Sequence, residues 1–128
     1  MEQKHYLPAK VVRYNPFKSV YYACVGVVSG FSREPNLVFQ AIIGIFAAVI
    51  LASKQLNLLA MINLIMMFFT LSGEFFNTAL EAVCDLIHPG LSPKVKLIKD
   101  LAAAGVWMIA LAWLVFLIYC CYILFLSF

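Results

Sequence analysis

The sequence predicts an all-α membrane protein: an N-terminal interfacial amphipathic helix followed by three transmembrane helices. Three observations carry that reading. Hydrophobic residues make up 65% of the 128 positions and charged residues only 12%, and a soluble domain of this size cannot hide so much apolar surface. Mean hydropathy is correspondingly high, at +0.98. Residues 35–53, 55–73 and 101–128 carry no charge, and about 20 such residues cross the hydrocarbon core of a bilayer. The runs are continuous rather than alternating, which excludes a closed β-barrel. A net charge of +3, scattered along the chain, gives no basic patch for nucleic acid.

The elements follow in order. Residues 1–16 are polar, contain Pro8 and Pro16, and read as a cytoplasmic arm with no secretory signal peptide. In residues 17–33, "FKSVYYACVGVVSGFSR", positions Phe17, Tyr21, Cys24, Val28 and Phe31 recur at steps of three and four. That is one apolar face at helical period, too short and too polar to span, so this helix is expected to lie on the membrane surface. The spans are expected at about 35–53, 55–85 and 98–126. The second extends beyond its apolar run because "EFFNTALEAVCD" continues it without a break. Residues 17–128 then form one domain.

Orientation rests on the basic residues. Lys4, Lys10, Arg13, Lys18 and Arg33 precede the first span, and Lys94, Lys96 and Lys99 lie between the second and third. Only Lys54 lies between the first and second. The N-terminus and the 86–100 loop are therefore expected in the cytoplasm and the C-terminus outside. Cys24, Cys84, Cys120 and Cys121 form no CxxC pair and read as small packing residues. Gln40 and Asn63, inside spans, read as hydrogen-bonding residues between helices, and His88 as a turn residue.

The acids need a reason. A carboxylate in hydrocarbon costs roughly 2.5–3.5 kcal/mol on insertion scales. Glu74, Asn77, Glu81 and Asp85 are spaced 3, 4 and 4. At about 100° per residue they form one narrow stripe, roughly 16 Å long. Acids at i, i+4 repel one another unless something positive sits beside them. The topology brings Glu34, the stripe, Lys99 and Asp100 to one membrane level. Carboxylates with a lysine suit a divalent metal and a polyphosphate, because Mg²⁺ takes hard oxygen ligands and completes its shell with phosphate and water. Glu74 is the deepest acid of the stripe, the natural place for a base that meets a lipid hydroxyl.

At these residues the chain resembles the small prokaryotic diacylglycerol kinase family, which includes the undecaprenol kinases. "EFFNTALEAVCD" is similar to the family's ExxNTAxExxxD, and "KDLAAAGV" at 99–106 to its KDxAAGAV segment. Gly26, Glu34 and Asn36 in "GVVSGFSREPN" give a weaker third match. The resemblance implies a homotrimer of surface helix plus three spans, using MgATP to phosphorylate the hydroxyl of a membrane lipid alcohol. By position it implies Glu34 and Glu81 as metal ligands that also hold the nucleotide, Glu74 as the general base, and Asn77 as the residue orienting the acceptor. It further implies that Lys99, Asp100 and Tyr22 contact ATP and that Asp85 supports the nucleotide site. Val38 and Gln40 depart from the residues common in relatives, which bears on head-group contacts. Ala102 tilts the choice between diacylglycerol and undecaprenol toward the latter.

Two other classes compete with a kinase: an ion or proton pathway, and a small membrane subunit without chemistry. A pathway needs acids at several membrane depths. Here the first and third spans and the far half of the second have none.

Overall fold

The computed structural model describes residues 15–90 and 92–127. The arm expected at 1–16 therefore lies mostly outside the described residues, with Lys4, Lys10 and Arg13. Four helices follow in order: α1 (Pro16–Arg33), α2 (Pro35–Ser53), α3 (Asn57–Ile87) and α4 (Pro93–Leu126). There is no strand among the described residues. The last three helices are each long and apolar enough to cross a membrane.

Proline sets three of the helix starts. Pro16, Pro35 and Pro93 each occupy the first turn, where the missing N–H would have had no intrahelical partner. At α1 the Asn15 side chain accepts from the N–H groups of Phe17 and Lys18, at 3.0 and 3.3 Å. Pro16, which the sequence places with the arm, is thus the first residue of α1. The α2–α3 turn closes on Gln55, at φ 63°. The N–H of Leu56 reaches the carbonyl of Leu51 at 2.9 Å, and that of Gln55 reaches Ala52 at 3.0 Å. Leu56 packs back on Leu51. This is the Schellman arrangement, with Gln55 in the left-handed position usually given to glycine.

The loop expected over 86–100 is mostly helix. Only residues 88–92 separate α3 from α4, so Lys94, Lys96, Lys99 and Asp100 stand on the first two turns of α4 rather than in a loop. At 31 and 34 residues, α3 and α4 are about 46 and 51 Å long at 1.5 Å per residue. A hydrocarbon core is about 30 Å thick, so both project beyond it, and their polar halves project together.

α3 is the central helix. It packs along both α2 and α4, which meet each other little. Its buried residues Ala60, Asn63, Met67 and Thr70 step by three and four, a heptad seam. On α2 the matching stripe is Leu37, Gly44, Ala48 and Leu51. α4 buries only Val106, Trp113 and Cys120, one residue every seven. Leu37, Met67, Leu71 and Trp113 form one core cluster, and Leu51, Ala60 and Cys120 a second.

One polar link joins all three helices inside this apolar frame. Asn63 is fully buried. Its Nδ2 donates to the Gly44 carbonyl at 2.7 Å, and its Oδ1 accepts from Trp113 Nε1 at 3.0 Å. Gly44 is required for this approach, since a Cβ there would overlap Met67 and meet Trp113 Cζ2 at 3.0 Å.

α1 buries no residue completely. Of the apolar positions expected on its face, Phe31 packs on the core and stacks edge-on with Phe75, ring centroids 6.0 Å apart. Phe17, Tyr21 and Val28 stay exposed. Gly30 sits so close to Phe75 that a Cβ would overlap the ring. Gly30→Ala should therefore push α1 away from α3 and cost about 1–3 kcal/mol, the usual range for overpacking. In a Phe75→Ala background the same change should cost much less, which chemical unfolding of the single and double variants would measure.

Candidate active site

The acidic stripe continues the buried seam of α3. The seam runs Ala60, Asn63, Met67, Thr70, then Glu74, Asn77, Glu81 and Cys84, at steps of three and four throughout. Up to Thr70 these positions face α2 and α4 and are sealed. From Glu74 through Asn77 to Glu81 the same face carries oxygen, with these three residues half-buried, and Cys84 returns it to a buried, apolar position. Helical repeat alone therefore places the polar groups on the same face of α3 that packs against α2 and α4 along the apolar part of the seam.

Each member has a defined partner. Glu74 Oε1 accepts from Gln40 Nε2 at 2.9 Å, across from α2. Asn77 Nδ2 donates to Glu81 Oε1 at 3.1 Å, one turn along α3. Placing an amide between two acids eases the repulsion that the bare spacing suggests. Lys99 Nζ donates to Asp85 Oδ1 at 2.6 Å, tying the end of α3 to α4. Asp100 pairs with Lys96 at 3.4 Å along α4. Two buried oxygens, Gln40 Oε1 and Asn77 Oδ1, have no donor. Buried polar atoms are seldom left so, and where they are, a ligand or another group commonly completes them.

Glu34 and Tyr22 stand apart from this network. Glu34 is the junction residue between α1 and α2. Its backbone N–H bonds to Gly30 and its side chain caps neither helix. Tyr22 lies on the exposed surface of α1, against Tyr21. Among the described residues, Glu34, Glu74 and Glu81 form no ion pair within the chain, and no three acidic, His or Cys side chains cluster closely enough to hold a metal. A single chain thus brings together Gln40 with Glu74, Asn77 with Glu81 and Lys99 with Asp85, and leaves Glu34 and Tyr22 outside those contacts.

A cleft of about 410 Å³ opens beside the Lys99–Asp85 pair, lined also by Gly90, Ser92, Lys96 and Asp100. That is within the size range of small-ligand sites, roughly 300–1,000 Å³. The sequence reading assigns Lys99, Asp100 and Asp85 to the nucleotide but gives Lys96 no role. It also treats Gln40 only as a link between helices. The signal was available in the α2 stripe: Gln40 falls three residues after Leu37 and four before Gly44, on the face turned to α3.

Four helices, three of them long and apolar, with a band of acids and lysines gathered where two of them leave the apolar zone, describe a multi-pass membrane protein with a polar site at one end. The chain belongs to the prokaryotic diacylglycerol kinase family, whose model matches residues 21–122. The match spans α2 and α3, most of α4 and all but the first turn and a half of α1. That family is one of lipid kinases. No curated protein matches the chain, and no solved structure does.

Proposed function

We propose that this protein transfers the γ-phosphoryl group of ATP to the hydroxyl of a membrane lipid alcohol, undecaprenol or diacylglycerol, at the polar end of α3. The observation that carries this reading is the half-buried Glu74–Asn77–Glu81 row, which continues the membrane seam along α3 toward Asp85, a lining residue of the lysine-bearing cleft. Phosphoryl transfer asks for positioning and charge neutralisation more than for covalent chemistry, and a row of oriented side chains can supply both. A lipid hydroxyl lies at the level where α3 leaves the hydrocarbon, so the acceptor need not leave the membrane to reach Glu74.

Glu74 takes the hydroxyl proton as the oxygen's electron pair forms the new bond to the γ-phosphorus. The bond from that phosphorus to the β,γ-bridging oxygen breaks, and its electron pair leaves on ADP. Asn77 orients the acceptor group. Lys99, Asp100 and Lys96, with Tyr22 and Asp85, hold the nucleotide; Lys99 faces the charge that develops on the transferred group. The donor set is hard oxygen throughout: the carboxylates of Glu34 and Glu81 and the unpaired Asn77 Oδ1. That suits Mg²⁺, which Glu34 and Glu81 would hold. Bound there, Mg²⁺ would neutralise triphosphate charge.

Because Glu34 lies outside the contacts that join the stripe to α4, a neighbouring copy is the natural source of the missing carboxylate. The broad apolar faces left exposed on α2 and α4 and the small residues 102–105 on α4 favour a close helical assembly, which we read as a homotrimer. Arg33, Lys94, Lys96 and Lys99 cluster at the active end and Lys54 at the other, which supports a cytoplasmic-facing site in the bacterial inner membrane. An ion pathway is disfavoured, since Met67, Leu71 and Trp113 seal the continuation of the seam.

Lys99→Ala should raise the KM for ATP about tenfold or more, as expected for loss of a charge-assisted phosphate contact, and leave the fold intact. Steady-state kinetics at varied ATP would measure it. Glu81→Ala should raise the Mg²⁺ concentration needed for half-maximal activity, and an unchanged requirement would remove Glu81 as a ligand. Competition between undecaprenol and diacylglycerol at matched surface concentration, with the lipid monophosphates separated and weighed against each other, identifies the acceptor. If neither alcohol gives a monophosphate, the kinase reading fails.

A further inference from the structure

Two amides are drawn between helices in this bundle, and they differ in one respect. Asn63 is satisfied at both ends, by Gly44 and Trp113. Gln40 is satisfied at one end only. Its Nε2 donates to Glu74 Oε1 at 2.9 Å, and its Oε1 is buried without a donor. An amide kept for structure should pair both of its ends, because a buried unpaired oxygen is unfavourable and an aliphatic side chain of the same length would pack there without it. The one polar contact that Gln40 makes is with the acid at the deepest point of the stripe.

Gln40 also stands between two α2 residues that pack tightly into the bundle. It lies three residues after Leu37, which is 1% exposed against Met67, Leu71 and Trp113. It lies four residues before Gly44, where a Cβ would overlap Met67 of α3 and crowd Trp113 of α4. All three share one helical face. The backbone on either side of Gln40 is therefore pinned to the bundle, and its amide reaches Glu74 from a fixed base.

We infer that Gln40 is a positioning residue for the transfer reaction, fixing one oxygen of Glu74 so that the other is presented to the acceptor hydroxyl. This rests on Glu74 being the base, as proposed above. With Oε1 tied to Gln40, rotation of the carboxylate is restrained, and Oε2 is the oxygen left to take the proton. Half-buried as it is, Glu74 has no ion pair among the described residues to do the same. Gln40 does not touch the reacting atoms and contributes only through Glu74.

The test uses the full-length chain in lipid vesicles with two substitutions. Gln40→Met keeps the length and packing but has no donor; Gln40→His places an N–H where the amide nitrogen was. Gln40→Met should lower kcat about tenfold or more, on the scale by which misplacing a reacting group slows catalysis, with the KM for ATP unchanged. Gln40→His should recover kcat to within about threefold of the parent by restoring the hydrogen bond. The carboxylate stretching band of Glu74, assigned in the infrared spectrum by its loss in Glu74→Gln, should shift in Gln40→Met and return in Gln40→His. Should Gln40→Met fail to fold, the band and kcat of Gln40→His alone decide, both being expected close to the parent. A Gln40→Met protein with parental kcat, a fall in kcat without a band shift, or a joint loss of kcat and ATP affinity would each overturn the inference. A parent chain that phosphorylates no lipid alcohol would instead sink the kinase reading, while the band would still report whether Gln40 holds Glu74.

Discussion

Glu74→Gln should lower kcat for lipid phosphorylation by about 10²–10⁴-fold, the usual worth of a positioned general base, and leave nucleotide binding close to normal. The substitution keeps volume and hydrogen-bonding length, and the Gln40 amide can still donate to the new carbonyl oxygen. What it removes is the ability to take a proton from the acceptor. Lys99, Asp85 and the cleft beside them lie two turns or more beyond Glu74 toward the end of α3 and on α4, so the nucleotide side is untouched. Comparing turnover with the affinity for a fluorescent ATP analogue separates the two effects. A loss of both together would mean that Glu74 supports the fold of the site rather than its chemistry.

Asn63→Ala is the substitution with the largest expected effect on the bundle itself. It leaves the buried Trp113 indole N–H without a partner and the Gly44 carbonyl with only its helical one, and opens a space where three helices meet. Hydrogen bonds between membrane helices are worth about 0.6–2 kcal/mol each, and a buried polar group left unpaired costs about 1–3 kcal/mol. Two broken bonds and the vacated volume together give an expected loss of about 2–4 kcal/mol. Unfolding in mixed micelles would measure this. Trp113→Phe should cost less, since it removes one bond, keeps an aromatic ring in the core and leaves the Gly44 contact in place.

The spans were legible because an uncharged run of twenty residues has few other fates in water or lipid. The site was legible because acids at three- and four-residue steps on a greasy helix are expensive and share a face. What escaped the sequence is instructive. The start of α4 at Pro93 was hidden by lysines, which look like loop residues but are favourable on the exposed turns of a helix that projects from the membrane. The one-sided pairing of Gln40 was hidden because periodicity identifies a face, not the partner opposite it. The continuity between the packed seam and the acidic row could have been read directly: Ala60 to Cys84 keeps one step pattern across the change from apolar to polar. Composition drew attention away, because the two halves look like different segments. The isolation of Glu34 from the stripe within one chain depends on how α1 and α2 join, which no spacing records.

The most direct measurement follows the phosphorus. Purified protein in vesicles containing undecaprenol and diacylglycerol is given Mg²⁺ and ATP labelled at the γ-position, and the organic extract is counted. The label should appear in a lipid monophosphate, and its rate of appearance should fall by about 10²–10⁴-fold with the Glu74→Gln protein. Label confined to ATP or to inorganic phosphate, from a folded preparation with both alcohols present, would contradict a lipid kinase centred on α3.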